Sequence, residues 1–277
     1  MSSKTIKRSV KPPTSEAIAL PTFTSAQGKN SEGKYAEADM LSFMSQMPIE
    51  TNHRLCGKYV LPLDVPTVWD LLFDDNAVMH WDGAKMELEH SIKEHSFWVE
   101  SLTKPYNGKR VLAELSTIYE STFKSFLAQI SGSTIFYELQ KTYLTEKAEN
   151  ALVLHQVAKA SGFKAADSYT IKSIIEVYQP DSAVEQSVLR LTWNNDWKKG
   201  TKVYEWAIRW ELEDKQKLLT KKIFEEFLPK AKDQVMKLPA KLPEKKSAVK
   251  PKKKKAKEST KRNKKKTEVD LVISEEI

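Results

Sequence analysis

Few side chains in this 277-residue chain stand at spacings that chemistry requires. His90 and His95 lie five apart beside Glu89 and Glu94. Two ligands on one helix need i, i+4, and no third ligand is evident, so these four read as solvated surface. His53 and Cys56 are the next candidates, as a base and a thiol nucleophile. Three positions apart in a strand, they point to opposite faces. That argues against a Cys–His pair and for a buried structural thiol. Asp74 and Asp75 are adjacent at a predicted helix end. They read as a cap and a solvated neighbour, not as an acid/base pair. The chain contains no Gly-x-Ser-x-Gly, no Cys-x-x-Cys and no phosphate-cradling glycine loop. The expectation is a protein that is not an enzyme and uses no cofactor and no metal.

The other chemistry available is charge. Lys and Arg outnumber Asp and Glu by 45 to 37, a net charge of +8. This balance is not uniform. Residues 237–266 hold fifteen Lys/Arg against Glu244 and Glu258, whereas 267–277 add only Glu268, Asp270, Glu275 and Glu276. The rest of the chain is therefore close to neutral. Two lysine clusters stand out, Lys252, Lys253, Lys254 and Lys255, and then Lys264, Lys265 and Lys266. Such clusters fit attraction to anionic lipid, a bipartite nuclear import signal, or salt-dependent nonspecific nucleic-acid binding. No aromatic residue interleaves them, which removes base stacking. A merely solvated tail is the plain alternative.

The elements that would position a site are mostly strands. Ile135, Tyr137, Leu139, Lys141 and Tyr143 alternate with mostly polar neighbours. Residues 152–159 are densely apolar. Tyr169, Ile171, Ser173, Ile175 and Val177 share one face, as do Leu189, Leu191 and Trp193. Period-two alternation predicts strands with one buried face. Earlier strands are predicted over 54–61, 97–104 and 110–119, the last two joined through an Asn107-Gly108 turn. A helix starts at Asp64 with Pro66 in its first turn. Residues 120–132 break the strand rhythm and carry Phe123, Phe126, Leu127 and Ile130 at helical spacing. Over 201–212 strand and helix patterns overlap; with no Gly or Pro between 201 and 228, one helix over 199–228 is the expectation, about 45 Å long.

Residues 1–48 are poor in large apolar side chains and read as a disordered tail, with a helical turn or two over 36–47. The domain spans 49–236, and 237–277 is a disordered tail, basic and then acidic. Cys56 is the one cysteine, so no intramolecular disulfide forms, as suits a reducing compartment. No apolar run of about 18 residues is present for a membrane span. The N-terminus lacks the apolar stretch of a secretory signal.

Taken in order, these elements resemble a known family. The carriers of the resemblance are Leu71-Leu72-Phe73-Asp74-Asp75, Trp98, Arg110, and Leu139-Gln140-Lys141-Thr142-Tyr143. Val157-Ala158-Lys159, Asp167-Ser168-Tyr169-Thr170-Ile171, Leu189-Arg190-Leu191-Thr192-Trp193 and Trp197-Lys198 complete it. The chain resembles the VASt domain, a START-like lipid- and sterol-transfer module, over roughly 53–228. The loop 160–169 lacks the proline usual in that family, and neither a GRAM domain nor a membrane anchor is recognised.

The resemblance implies an α+β helix-grip fold, a curved antiparallel sheet wrapped around a long C-terminal helix, with disordered tails. It implies an apolar cavity for a sterol or related lipid, moved between membranes without catalysis. Phe123, Phe126, Leu127 and Ile130 are then lid candidates, against the plain reading as core. Trp98, Tyr119, Trp206 and Trp210 are cavity-wall candidates, against ordinary packing. The expected partners are the lipid and an anionic membrane surface bound peripherally from the cytoplasm; nucleic acid would bind only nonspecifically. The alternative is a nuclear or nucleolar interaction protein with a degenerate START-like module and a lysine-rich tail.

Overall fold

The computed structural model describes residues 14–16, 18–75, 90–101, 105–122, 133, 135–163, 166–198, 214, 217, 218, 221 and 222. Within these the architecture is α+β. In chain order come helix α1 (Glu37–Ser45), strand β1 (Arg54–Leu61) and helix α2 (Val65–Leu72). The remaining strands are β2 (His90–His95), β3 (Val99–Glu100), β4 (Ala113–Thr122), β5 (Ile135–Lys147), β6 (Ala151–Ser161), β7 (Tyr169–Tyr178) and β8 (Ser187–Trp197). The eight described strands form one curved, unclosed antiparallel sheet in the order β1-β8-β7-β6-β5-β4-β2, and β3 also pairs with β4.

Short connections dictate this order. The 148–150 and 179–186 turns return β6 against β5 and β8 against β7. Asn107 and Gly108 adopt φ of 48° and 76°, the paired left-handed geometry of a type I′ turn, and Tyr106 and Lys109 exchange backbone hydrogen bonds across it. Strand β1 closes onto β8, with a bulge at Cys56 between Leu55 and Gly57.

Helix α2 forms as its sequence dictates. The Asp64 carboxylate accepts the Thr67 backbone N–H at 2.8 Å, and Pro66 sits where no helical donor is needed. Val65, Val68, Trp69, Leu71 and Leu72 are buried against one sheet face, called here the α2 face. Their partners there are Ala113, Leu144, Leu152, Leu154, Ile175, Val177, Leu189 and Leu191. The Lys147 ammonium lies 3.6 Å from the centre of the Trp69 ring.

The opposite face is covered by the segment ahead of β1. Met40, Phe43 and Met44 of α1 are buried with Ala151, Val153, Ile174, Tyr178 and Val188. The expectation of a disordered tail to residue 48 therefore fails for the described residues 18–47. Composition averaged over the segment conceals three apolar side chains at i, i+3, i+4, enough for one buried helical stripe. Polar brackets fix the rest of this strap. Asn150 accepts the Ile18 N–H at 3.2 Å and donates to the Ile18 carbonyl at 2.9 Å. Gln186 does the same for Tyr35, at 2.7 and 3.2 Å. The Tyr35 hydroxyl donates to Asp181 at 2.7 Å. Arg190 donates to the carbonyls of Met47 and Pro48.

Three further expectations are corrected. Residues 120–122 belong to β4 rather than to a break in strand rhythm, and 123–132 lie outside the described residues. Strand β8 runs on to Trp197, past the expected end at 193. The buried phase of β5 is Phe136, Thr142 and Leu144, whereas Ile135 and Tyr137 are 42 % and 39 % exposed. Polar residues occupy the buried phase, so alternation assigned the wrong side.

Candidate functional site

Strand register arranges the α2 face into lateral rows. Leu115, Thr142, Gln156, Ser173 and Trp193 are cross-strand partners from β4 to β8. The next row is His95, Thr117, Gln140, Ala158, Ile171 and Asn195. Beyond it come Tyr119, Glu138 and Ala160, and then Tyr169 beside Trp197. Leu144 and Leu154, under α2, precede these rows. The face thus passes from a largely apolar half beneath α2 to a half that mixes aromatic, small and mostly neutral polar groups.

Much of this second half is buried. Thr117, Tyr119, Ser121, Phe136, Ile171, Ser173 and Trp193 are all sheltered from solvent, Ser121 completely, at 0 %. Among the described residues its apolar cluster holds only strand residues and the 161–168 turn, with Phe163 against Phe136 and Tyr169. Several of its polar groups are incompletely paired. Thr142 Oγ1 accepts from Gln140 at 3.4 Å and from Gln156 at 3.5 Å, both near the limit of a hydrogen bond. His95 Nδ1 meets Thr117 Oγ1 at 3.1 Å, while its Nε2 is buried with no partner. Burial holds the His95 imidazole below its ordinary pKa, so it is neutral.

The end of β8 is the most unsatisfied point. Strand β1 begins at Arg54, opposite Trp193, so Asn194–Trp197 extend past it. An open hollow of about 520 Å³ lies at this step, with Asn52, His53, Arg54, Trp193, Asn194, Asn195 and Asp196 among its walls. Both the amide nitrogen and the amide oxygen of Asn195 are buried without hydrogen-bond partners, and so is Trp197 Nε1. Buried polar atoms are almost always satisfied, which makes three orphans on two same-face positions informative.

The sequence candidates fall as follows. Trp98 is 1 % exposed in the core under α2; its Nε1 donates to the Phe73 carbonyl at 2.7 Å and its ring lies 5.4 Å from Trp69. Its backbone N–H donates to Asp75, so that carboxylate anchors the chain after α2. Tyr119 lies in the second half of the α2 face. Phe123, Phe126, Leu127, Ile130, Trp206 and Trp210 lie outside the described residues. So do Lys252, Lys253, Lys254, Lys255, Lys264, Lys265 and Lys266. Cys56 packs into the α2-face clusters, whereas His53 meets Thr192 on the other face at 3.4 Å. No group of three His, Cys, Asp or Glu among the described residues is placed to hold a metal ion. No helix there is long and apolar enough to cross a membrane.

No protein-family model and no curated protein matches this chain.

Sequence reading missed the polar rows and Asn195. The signal was present, because Thr142, Gln156 and Ser173 each break an apolar phase. Their alignment becomes visible only once the register is known. It also missed a stack on the strap-side face. Tyr106 lies 4.7 Å from the Tyr143 ring and 5.4 Å from His155. Burial lowers the His155 pKa to about 4 and raises that of Tyr106 to about 12.

Proposed function

We propose that this chain is a non-enzymatic carrier that binds a sterol or related lipid on the α2 face and moves it between membranes. One observation carries the reading. Half of that face is buried beyond the reach of α2, yet it is neither a sealed apolar core nor a satisfied polar network. A surface of aromatic and small apolar groups with a few unpaired neutral polar atoms matches an amphipathic guest with an apolar body and one polar end. An enzyme would need a convergent titratable set there, and the described groups are amides, hydroxyls, an indole and a neutral imidazole, with Glu138 as the one carboxylate in these rows.

In this reading residues 199–228 form the long helix of a helix grip and close over the second half. Phe123, Phe126, Leu127 and Ile130 are its lid candidates, as the resemblance implies. The lysine clusters hold the carrier at anionic leaflets, at about 1 kcal/mol per residue near the surface. The support is the order of elements, the antiparallel sheet and the resemblance to VASt domains.

The test uses the full chain. Purified protein is mixed with dehydroergosterol, a fluorescent sterol, and assayed for solubilisation and for transfer between donor and acceptor liposomes. Saturable binding near one sterol per chain and protein-dependent transfer are expected. Absence of both ends the proposal.

A further inference from the structure

The carrier reading leaves open how the polar end of a guest is chosen, and the end of β8 answers it. We infer that Asn195, assisted by the indole N–H of Trp197, is the head-group station, and that it selects an uncharged group that both donates and accepts, a hydroxyl or an amide. This inference rests on the carrier reading.

The geometry is specific. Asn195 lies between Trp193 and Trp197 along β8 and beside Ile171 on β7. On its other side β1 has not yet begun, and the hollow takes the place of a neighbouring strand. A carboxamide offers two donors and an acceptor from one planar group. Here the nitrogen and the oxygen are both buried and unengaged. Leaving a buried donor or acceptor unmade is costly, so such a pair persists where a ligand completes it. The Trp197 ring is held 5.0 Å from Tyr169, which fixes its N–H two positions along the same face.

The charge pattern sets the class. On this half of the α2 face the charged described positions are Glu138 of β5 and Arg54, the latter exposed at the start of β1. Lys141, Lys159, Lys172 and Arg190 project from the strap-side face, since each pairs with a residue of that phase. A phosphate at Asn195 would be buried between two tryptophans, and Arg54 on the wall of the hollow is offset there by Asp196, an expensive arrangement. A neutral hydroxyl or amide meets no such opposition.

The experiment compares dehydroergosterol with its 3-O-methyl ether, which keeps the body and loses the hydroxyl proton. Full-length wild type is expected to bind the alcohol about tenfold more tightly than the ether. Asn195→Leu, close in volume, is expected to bind both at the weaker level. Trp197→Phe keeps the stack on Tyr169 and is expected to lose part of the preference. Equal affinity of wild type for alcohol and ether overturns the inference and leaves the carrier reading standing. So does an Asn195→Leu protein that still prefers the alcohol. A fluorescent phosphatidylserine that outcompetes the alcohol overturns the neutral-head assignment. If wild type binds neither sterol, the carrier reading falls and takes the inference with it.

Discussion

Arg190 joins the strap to the sheet. It is 2 % exposed, and its guanidinium donates to Glu176 at 2.7 Å, to the Met47 carbonyl at 2.6 Å and to the Pro48 carbonyl at 2.9 Å. Breaking a buried, hydrogen-bonded ion pair from one side strands the remaining charge, at a cost of about 3–5 kcal/mol. Arg190→Met is therefore expected to lose that much stability in urea unfolding, and Glu176→Gln in the same background to recover part of it. An unchanged midpoint would show that the pair does not hold the strap. The sequence offers Arg190 only as the polar phase of an alternating strand, which reads as solvent-facing. Its true partners are carbonyls 143 and 142 positions upstream, which no local pattern encodes. Asp64 and Asn107-Gly108 were legible for the opposite reason, because cap and turn complete their hydrogen bonds within three residues.

At the scale of elements, the strap behaves as a second core. Phe43 is buried against the strap-side face, and Phe23 meets its ring edge-on at 5.7 Å. Phe43→Ala is expected to cost about 3–5 kcal/mol. It is also expected to open the strap to proteolysis at Lys29 and Lys34 before the sheet is cut, as read by mass spectrometry of early fragments. Simultaneous cleavage of strap and sheet would mean that the two unfold as one unit. The strands were legible where large apolar residues keep one phase, as in β7 and β8. The side of β5 was not, because Gln140 and Thr142 occupy its inner phase. The helical turns over 36–47 were legible as α1, but their docking was not, because one stripe of three side chains is all that a nine-residue helix needs to bury.

For the molecule as a whole, pH is the simplest probe. His53, His95 and His155 all have lowered pKa values, in each case chiefly through burial. At His155, 1 % exposed, the charges of Lys109 and His53 add to this and bring the value to about 4. Between the ordinary histidine value of about 6.5 and 4, the unfolded chain binds more protons than the folded one, so stability falls as pH falls through this window. For His155 alone the full effect is about 3 kcal/mol. Glu146, raised by burial, titrates in the opposing sense. The expected outcome is a lower urea midpoint at pH 5 than at pH 7.5, with the difference reduced in His155→Gln. A midpoint independent of pH would mean that the histidine is solvated. Of the candidate site, the sheet that carries it was legible, whereas its polar rows needed five strands in register at once.

The strap also constrains how the chain matures. It leaves the ribosome ahead of the sheet, and Asn150, Asp181, Gln186 and Arg190, which receive it, are translated some 130 to 150 residues later. Docking is thus a late event in biogenesis. Until Arg190 has emerged and β8 has joined β7, the greasy stripe of α1 has no seat, and the nascent polypeptide presents it to whatever chaperone waits at the exit tunnel.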